Sequence, residues 1–221
     1  MNKFKINEPI PGVIHLLFED RFRMGLSMCR MSEFFESPYD AIRGRQFTFM
    51  EFIEAYWKAD GTGDYWSYFE GYNIPKKVVD QFFKAHEYSG TLTIYENKIK
   101  QVWEDFEGEY LIATDGLEDV LEHELAHARY ALDPAYKQVV RDFIEGLDLN
   151  VRHRLIKGLL QDDRYVNDVE LLLDEVHAYL LTSFDEELLE MFPEVELNLL
   201  RSLQQQLKSL TKSFTCLEKG V

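Results

Sequence analysis

The sequence predicts an α+β protein, mainly helical, with a small antiparallel sheet just before a helix that contains "HELAH". Two observations carry this expectation. Residues 91–114 hold alternating and β-branched runs, "TLTIYEN" and "EYLIAT", bounded by glycine and by "DG". From Asp115 onward apolar residues recur at helical spacing, with breaks at "DP", Gly146, Gly158 and Pro193. A chain of 221 residues, 46% hydrophobic and 14% aromatic, is long enough to bury a sizeable core. It holds no internal repeat and no low-complexity tract, so it reads as one domain over 1–221. Within that domain an aromatic-rich subregion covers 1–90, and a sheet-plus-helix subregion covers 91–221.

Near the start, the apolar run Val13 to Phe18 follows two prolines and is too short for the hydrophobic stretch of a signal segment. Phe18 to Phe35 and Thr48 to Lys58 are patterned as helices, while "SPYD" and "DGTGD" read as loops. Pro75 opens a helix through "KKVVDQFFKAH", because a first turn has no use for the N–H that proline lacks. "TLTIYEN" and "EYLIAT" are expected as strands, and "KIKQVWEDF" suits either state. A helix over 116–132 stops at "DP", since Pro134 disfavours helical backbone at Asp133. Further helices are expected over 134–146, 148–160, 165–183 and 194–213.

A formal charge of −16 and a pI near 4.8 oppose binding to nucleic acid or to an anionic membrane surface. A neutral or basic partner is easier to accommodate, and solubility is the simplest use of the acid excess. No run approaches the roughly 20 apolar residues of a membrane span. Cys29 and Cys216 lie far apart and suggest neither a disulfide framework nor a cysteine metal site. A reducing compartment, the cytoplasm, is the expected location, although proteins delivered by specialised secretion systems also lack signal segments.

The chemistry concentrates in "LEDVLEHELAHARYAL". Four positions apart on a helix, His123 and His127 share a face and can place two imidazole nitrogens on one cation, half of a tetrahedral zinc shell. Glu124 points beside such a cation, where it can take a proton from an activated water and later return it. Leu117, Val120, Leu121, Leu125 and Ala128 supply an apolar face, and no proline interrupts the segment. The alternative, two solvated or core histidines on a helix, stays open at this point.

In this context "HELAH" resembles the HExxH signature of the zincin metallopeptidases. The literal match covers five residues. The resemblance implies a zincin-like fold, one zinc ion per chain, and a hydrolase in which Glu124 is the general base. It also implies that the strand before the motif is a sheet edge along which an extended peptide substrate lies. A metzincin is excluded by spacing, because the chain continues "ARYALDPAYK" without the nearby glycine and third histidine of that motif.

A hydrolytic site needs a third ligand, and "NDVELLLDEVHAYLLTSF" is the downstream segment dense in candidates. Glu175 and Ala178, followed by Tyr179, resemble the E-x-x-A element of the glutamate-liganded zincins, the gluzincins, which implies Glu175 as the third zinc ligand. Glu170, Asp174 and His177 compete for that place. Where gluzincins often carry asparagine before the ligand glutamate, this chain has Asp174, which could instead hold a ligand histidine by its other ring nitrogen. Asp119, one turn before His123, is a further candidate for such support. Tyr130, Tyr165, Tyr179 and His153 are candidate donors to an oxyanion, none of them distinguished by sequence. His15 and His86 read as structural, the N-terminal aromatics read as core, and "DGTGDYWSYFEGYN" lacks the pattern of a phosphate loop.

The leading expectation is a zinc metallopeptidase acting on peptides or proteins, with basic ones favoured by the acidic charge. Its rivals are a catalytically inactive zincin-like metal-binding or regulatory protein, a metal-free helical interaction module, and a metal-dependent hydrolase of a non-peptide substrate.

Overall fold

Two apolar runs, "VIHLLF" and "YLIAT", form the middle of a four-stranded sheet. The computed structural model describes residues 4–37, 39–60, 66, 69–87, 90–161, 165 and 167–215. Pro38 of the expected "SPYD" loop, most of "DGTGD", and Cys216 lie outside them. Strands β1 (Phe4–Asn7), β2 (Val13–Phe18), β3 (Gly71–Pro75) and β4 (Tyr110–Thr114) stand in the order β1-β2-β4-β3. β1 is antiparallel to β2 and β3 is antiparallel to β4, but β2 and β4 are parallel, with Val13 opposite Tyr110 and Leu17 opposite Thr114. The sheet is therefore mixed rather than antiparallel.

A parallel pair requires a long crossover. Between β2 and β4 lie helices α1 (Arg21–Glu36) and α2 (Phe49–Asp60), then β3, then α3 (Lys76–Glu87) and α4 (Ile94–Asp105). β4 is buried at every position because it is an interior strand, which is why its sequence is continuously apolar. This corrects the expectation that the strand before the "HELAH" helix is a sheet edge. β2 occupies one side of β4 and β3 the other, so its backbone has no free side for a substrate.

"TLTIYEN" is not a strand. Thr93 Oγ1 accepts from the Glu96 amide at 3.1 Å, while the Glu96 carboxylate accepts from the Thr93 amide at 2.7 Å. This reciprocal cap starts α4 and outweighs the β preference of Thr91, Thr93 and Ile94.

The chain divides into two compact units, Met1–Leu121 and Glu122–Val221, where sequence had suggested a change of texture at residue 90. In the first, Met24, Met28, Met31 and Phe34 of α1 share one apolar cluster with Phe52, Phe82 and Ile99, so the N-terminal aromatics largely build core. Inside that core Arg30 is only 1% exposed. Its guanidinium donates to Glu96 Oε2 at 2.9 Å, to the Thr91 carbonyl at 3.1 Å and to the Phe47 carbonyl at 2.6 Å. His15, against Thr114 Oγ1 at 2.9 Å, and His86, against the Phe82 carbonyl at 2.9 Å, are buried structural groups.

The second unit is helical. It takes most of α5 (Glu118–Leu132), then α6 (Pro134–Glu145), α7 (Leu149–Leu160), α8 (Val169–Thr182), α9 (Asp185–Met191) and α10 (Leu197–Thr215). At "DP" one residue serves two helices. The Asp133 amide donates to the Arg129 carbonyl at 2.9 Å to finish α5, and its carboxylate accepts from the amides of Ala135 and Tyr136 to start α6. The helix expected over 165–183 begins at Val169 because Asp168 caps it, accepting from the Glu170 amide at 3.0 Å. Gly158 lets α7 pass the end of α9, since a Cβ there would sit 2.4 Å from the Met191 carbonyl oxygen. Val140, Ile144, Leu155, Leu159, Val176 and Leu200 meet in one core. Among the described residues no helix is long and apolar enough to cross a membrane.

Candidate metal centre

His123 and His127 sit one turn apart on α5, and their Nε2 atoms approach to 3.2 Å. From α8, Glu175 brings Oε1 to 3.8 Å from His127 Nε2. The three residues each offer a donor atom, and all three atoms lie within 4.8 Å of one another.

The outer nitrogens decide how the inner ones face. His127 Nδ1 lies 3.0 Å from Asp174 Oδ1, an oxygen that accepts only, so Nδ1 carries the hydrogen. His123 Nδ1 lies 3.1 Å from Thr182 Oγ1. That hydroxyl already donates to the Ala178 carbonyl at 2.8 Å, so it accepts from His123. With both rings neutral, the two Nε2 atoms present lone pairs to each other, and either a proton carried by His127 or a metal ion between them removes the repulsion. Two imidazole nitrogens on a tetrahedral metal with bonds of about 2.0–2.1 Å stand roughly 3.3 Å apart. The histidine pair matches that spacing, and together with Glu175 the three residues could hold a metal ion.

The electrostatics are consistent with a place for positive charge. Burial alone would lower the His127 pKa, but the carboxylates of Asp174, Glu175 and Glu124 outweigh it and raise the value. His123 is held well below the ordinary range by burial and by the neighbouring charges of His127 and His177. Burial likewise works against an ionised Asp174, yet His127 and His177 keep its pKa low. Glu124 is 6% exposed, and its charge reaches His127.

The remaining candidates separate clearly. Asp174 supports His127 and is not itself one of the three converging donors. His177 is fully buried, its Nδ1 3.0 Å from the Asp174 carbonyl and its Nε2 3.0 Å from the Tyr136 hydroxyl, so both nitrogens are committed away from the cluster. Tyr179 sets its ring edge-on to His123 at 5.0 Å, with its hydroxyl 3.0 Å from that of Tyr165. Tyr130 stacks on His177. Glu170 is exposed and ion-paired to Lys137 at 2.8 Å and to Arg141. Asp119 is exposed in the first turn of α5 and holds neither histidine, and His153 is exposed on α7. Ala178 is fully buried and contributes its carbonyl to Thr182.

Thr182 and Tyr136 were not among the sequence candidates. Thr182 was within reach, because it lies seven positions after Glu175 and therefore on the same helix face. Tyr136 gave no signal, being separated from His177 by an entire helix and loop.

Compared with known proteins, the chain matches no family model, and no curated protein and no solved structure resembles it significantly.

Proposed function

We propose that this protein is a zinc-dependent metallopeptidase of gluzincin type, with His123, His127 and Glu175 as ligands and Glu124 as general base. The observation that carries the reading is the convergence of two histidine Nε2 atoms and one carboxylate oxygen, with both outer ring nitrogens already fixed. Three protein ligands leave a tetrahedral ion one position for water, which a hydrolytic site needs and a closed structural site lacks. Asp174 and His177, the residues that would close the shell, are engaged elsewhere.

When bound, zinc supplies Lewis acidity to an attacking water and to the scissile carbonyl. Glu124 takes the proton from that water and hands it to the departing amine nitrogen. Asp174 and Thr182 hold the two imidazoles in the tautomer that directs Nε2 inward. The zincin-like arrangement of helices belongs to the same proposal. Substrate pairing along β4 does not, because that strand is flanked on both sides. The acidic charge favours basic peptides.

Elemental analysis of protein purified without chelators or a histidine tag tests the reading, comparing wild type with His127→Ala. About one zinc per chain, lost in the variant, is the expected result, followed by cleavage in a peptide library. Wild type that stays metal-free after zinc is added back overturns it. Zinc bound without any peptide cleavage would favour a non-peptide hydrolase or a binding protein.

A further inference from the structure

We propose that His177 is a positioning residue for this centre: braced by the Tyr136 hydroxyl, it holds the Asp174 carboxylate in the orientation that fixes His127. The inference rests on the metal reading above and extends it to two residues outside the ligand set.

A fully buried imidazole must satisfy both nitrogens. His177 Nδ1 faces two oxygens that only accept, the Asp174 carbonyl at 3.0 Å and Asp174 Oδ1 at 3.2 Å, so Nδ1 carries a hydrogen. Nε2 is then free to accept from the Tyr136 hydroxyl at 3.0 Å. Tyr136 is itself 1% exposed, so its hydroxyl has no exchange of partners with solvent. The His177 ring is also held by its faces and edges, with Tyr130 stacked at 5.4 Å and Tyr136 edge-on at 5.5 Å.

The decisive detail is which oxygen receives the hydrogen bond. Asp174 Oδ1 is also the atom that His127 Nδ1 meets at 3.0 Å. One carboxylate oxygen therefore takes two N–H groups, and moving His177 moves the atom that orients a ligand. The line Tyr136, His177, Asp174, His127 joins α6, α8 and α5. Apolar packing of α8 is supplied separately by Leu172, Leu173, Val176 and Leu180, so filling space does not require a histidine at this position.

Two substitutions divide the two ends of the ring. In His177→Asn the amide nitrogen can occupy the place of Nδ1 and keep the donor to Asp174. In His177→Gln the amide extends toward Tyr136, and Asp174 loses that donor. Tyr136→Phe removes the brace alone. Zinc affinity by chelator competition, the visible spectrum of the cobalt-substituted protein, and the melting temperature of the apo form are measured for each. Asn and Tyr136→Phe, which both lose the brace but keep the donor to Asp174, are expected to bind within about threefold of wild type, and Gln roughly tenfold or more weakly with an altered cobalt spectrum. The apo melting temperatures of Asn and Gln should be similar. Equal zinc affinity for Asn and Gln, or a loss in Gln that follows apo melting temperature alone, overturns the positioning role while leaving the metal centre intact. A wild type that binds no zinc removes both.

Discussion

His123 Nε2 and His127 Nε2 face each other at 3.2 Å while the outer nitrogen of each ring is already donating, His123 to Thr182 and His127 to Asp174. The arrangement commits both rings in advance. Thr182→Val should release only the first commitment, letting His123 turn or change tautomer. Zinc affinity is expected to fall about tenfold with a stability change below about 1 kcal/mol, read by chelator competition and by chemical denaturation. Unchanged affinity would mean that the threonine merely caps its own helix turn.

Glu124 sits at the motif position next to His123, buried and within electrostatic reach of His127. Glu124→Gln should keep zinc and lower peptide hydrolysis by roughly 10²–10⁴-fold. Metal content and turnover measured on the same preparation make the comparison. Activity close to wild type would assign the proton transfer to another group.

Two glutamates on α8 make a matched control. Glu175 faces His127 Nε2, whereas Glu170 is tied to Lys137 and Arg141 on the exposed surface. Glu175→Ala should weaken zinc binding by more than about 100-fold, since a ligand is lost and not merely its support. Glu170→Ala should leave binding unchanged. A reversed result would move the third ligand by more than one helical turn.

Glu33 gives a pH signature independent of the metal. It is buried on α1 and bonded to Tyr56, and burial, only partly opposed by a hydrogen bond from Ser37, pushes its pKa up to about 8. In the unfolded chain the group titrates near the ordinary 4.5. The folded state thus holds the proton more tightly. Its stabilising effect is complete below pH 4.5, declines as pH rises toward 8, and is gone above that. Glu33→Gln stays neutral throughout, so its stability relative to wild type should grow by a few kcal/mol, roughly 2–4, between pH 5 and 8 in urea denaturation. A constant difference across that range would show that Glu33 does not take up a proton on folding.

Arg30→Met should destabilise the protein by about 3–5 kcal/mol, because Glu96, only 1% exposed, would keep a buried charge without its partner. Arg201→Ala removes an exposed pairing with Asp185 and should cost less than about 1 kcal/mol. Denaturant midpoints compare the two.

How much was legible in the sequence depended on whether a signal was local. The "HELAH" pair was readable because helical spacing alone brings His123 and His127 together. The "DP" boundary was readable because proline constrains its own neighbour. "TLTIYEN" was misread because β-branched composition was weighed above T-x-x-E, a four-residue cap that could have been recognised at Thr93 and Glu96. Nothing local marks β2 and β4 as parallel partners, since their pairing joins residues 13–17 to 110–114. The same holds for Tyr136 and His177, whose contact exists only once α6 and α8 have packed.

Arg30 also constrains the order of assembly. Its guanidinium draws on Phe47, Thr91 and Glu96, three places spread along the chain. Until all three have arrived, the cation remains in water or strands its charge in an apolar interior, and an intermediate that buries α1 without α4 is penalised. The first unit is thereby expected to gain and lose its structure in a single step, with α4 unable to fray away while α1 stays packed. Hydrogen exchange would register this as one shared opening free energy for the amides of α1 and α4.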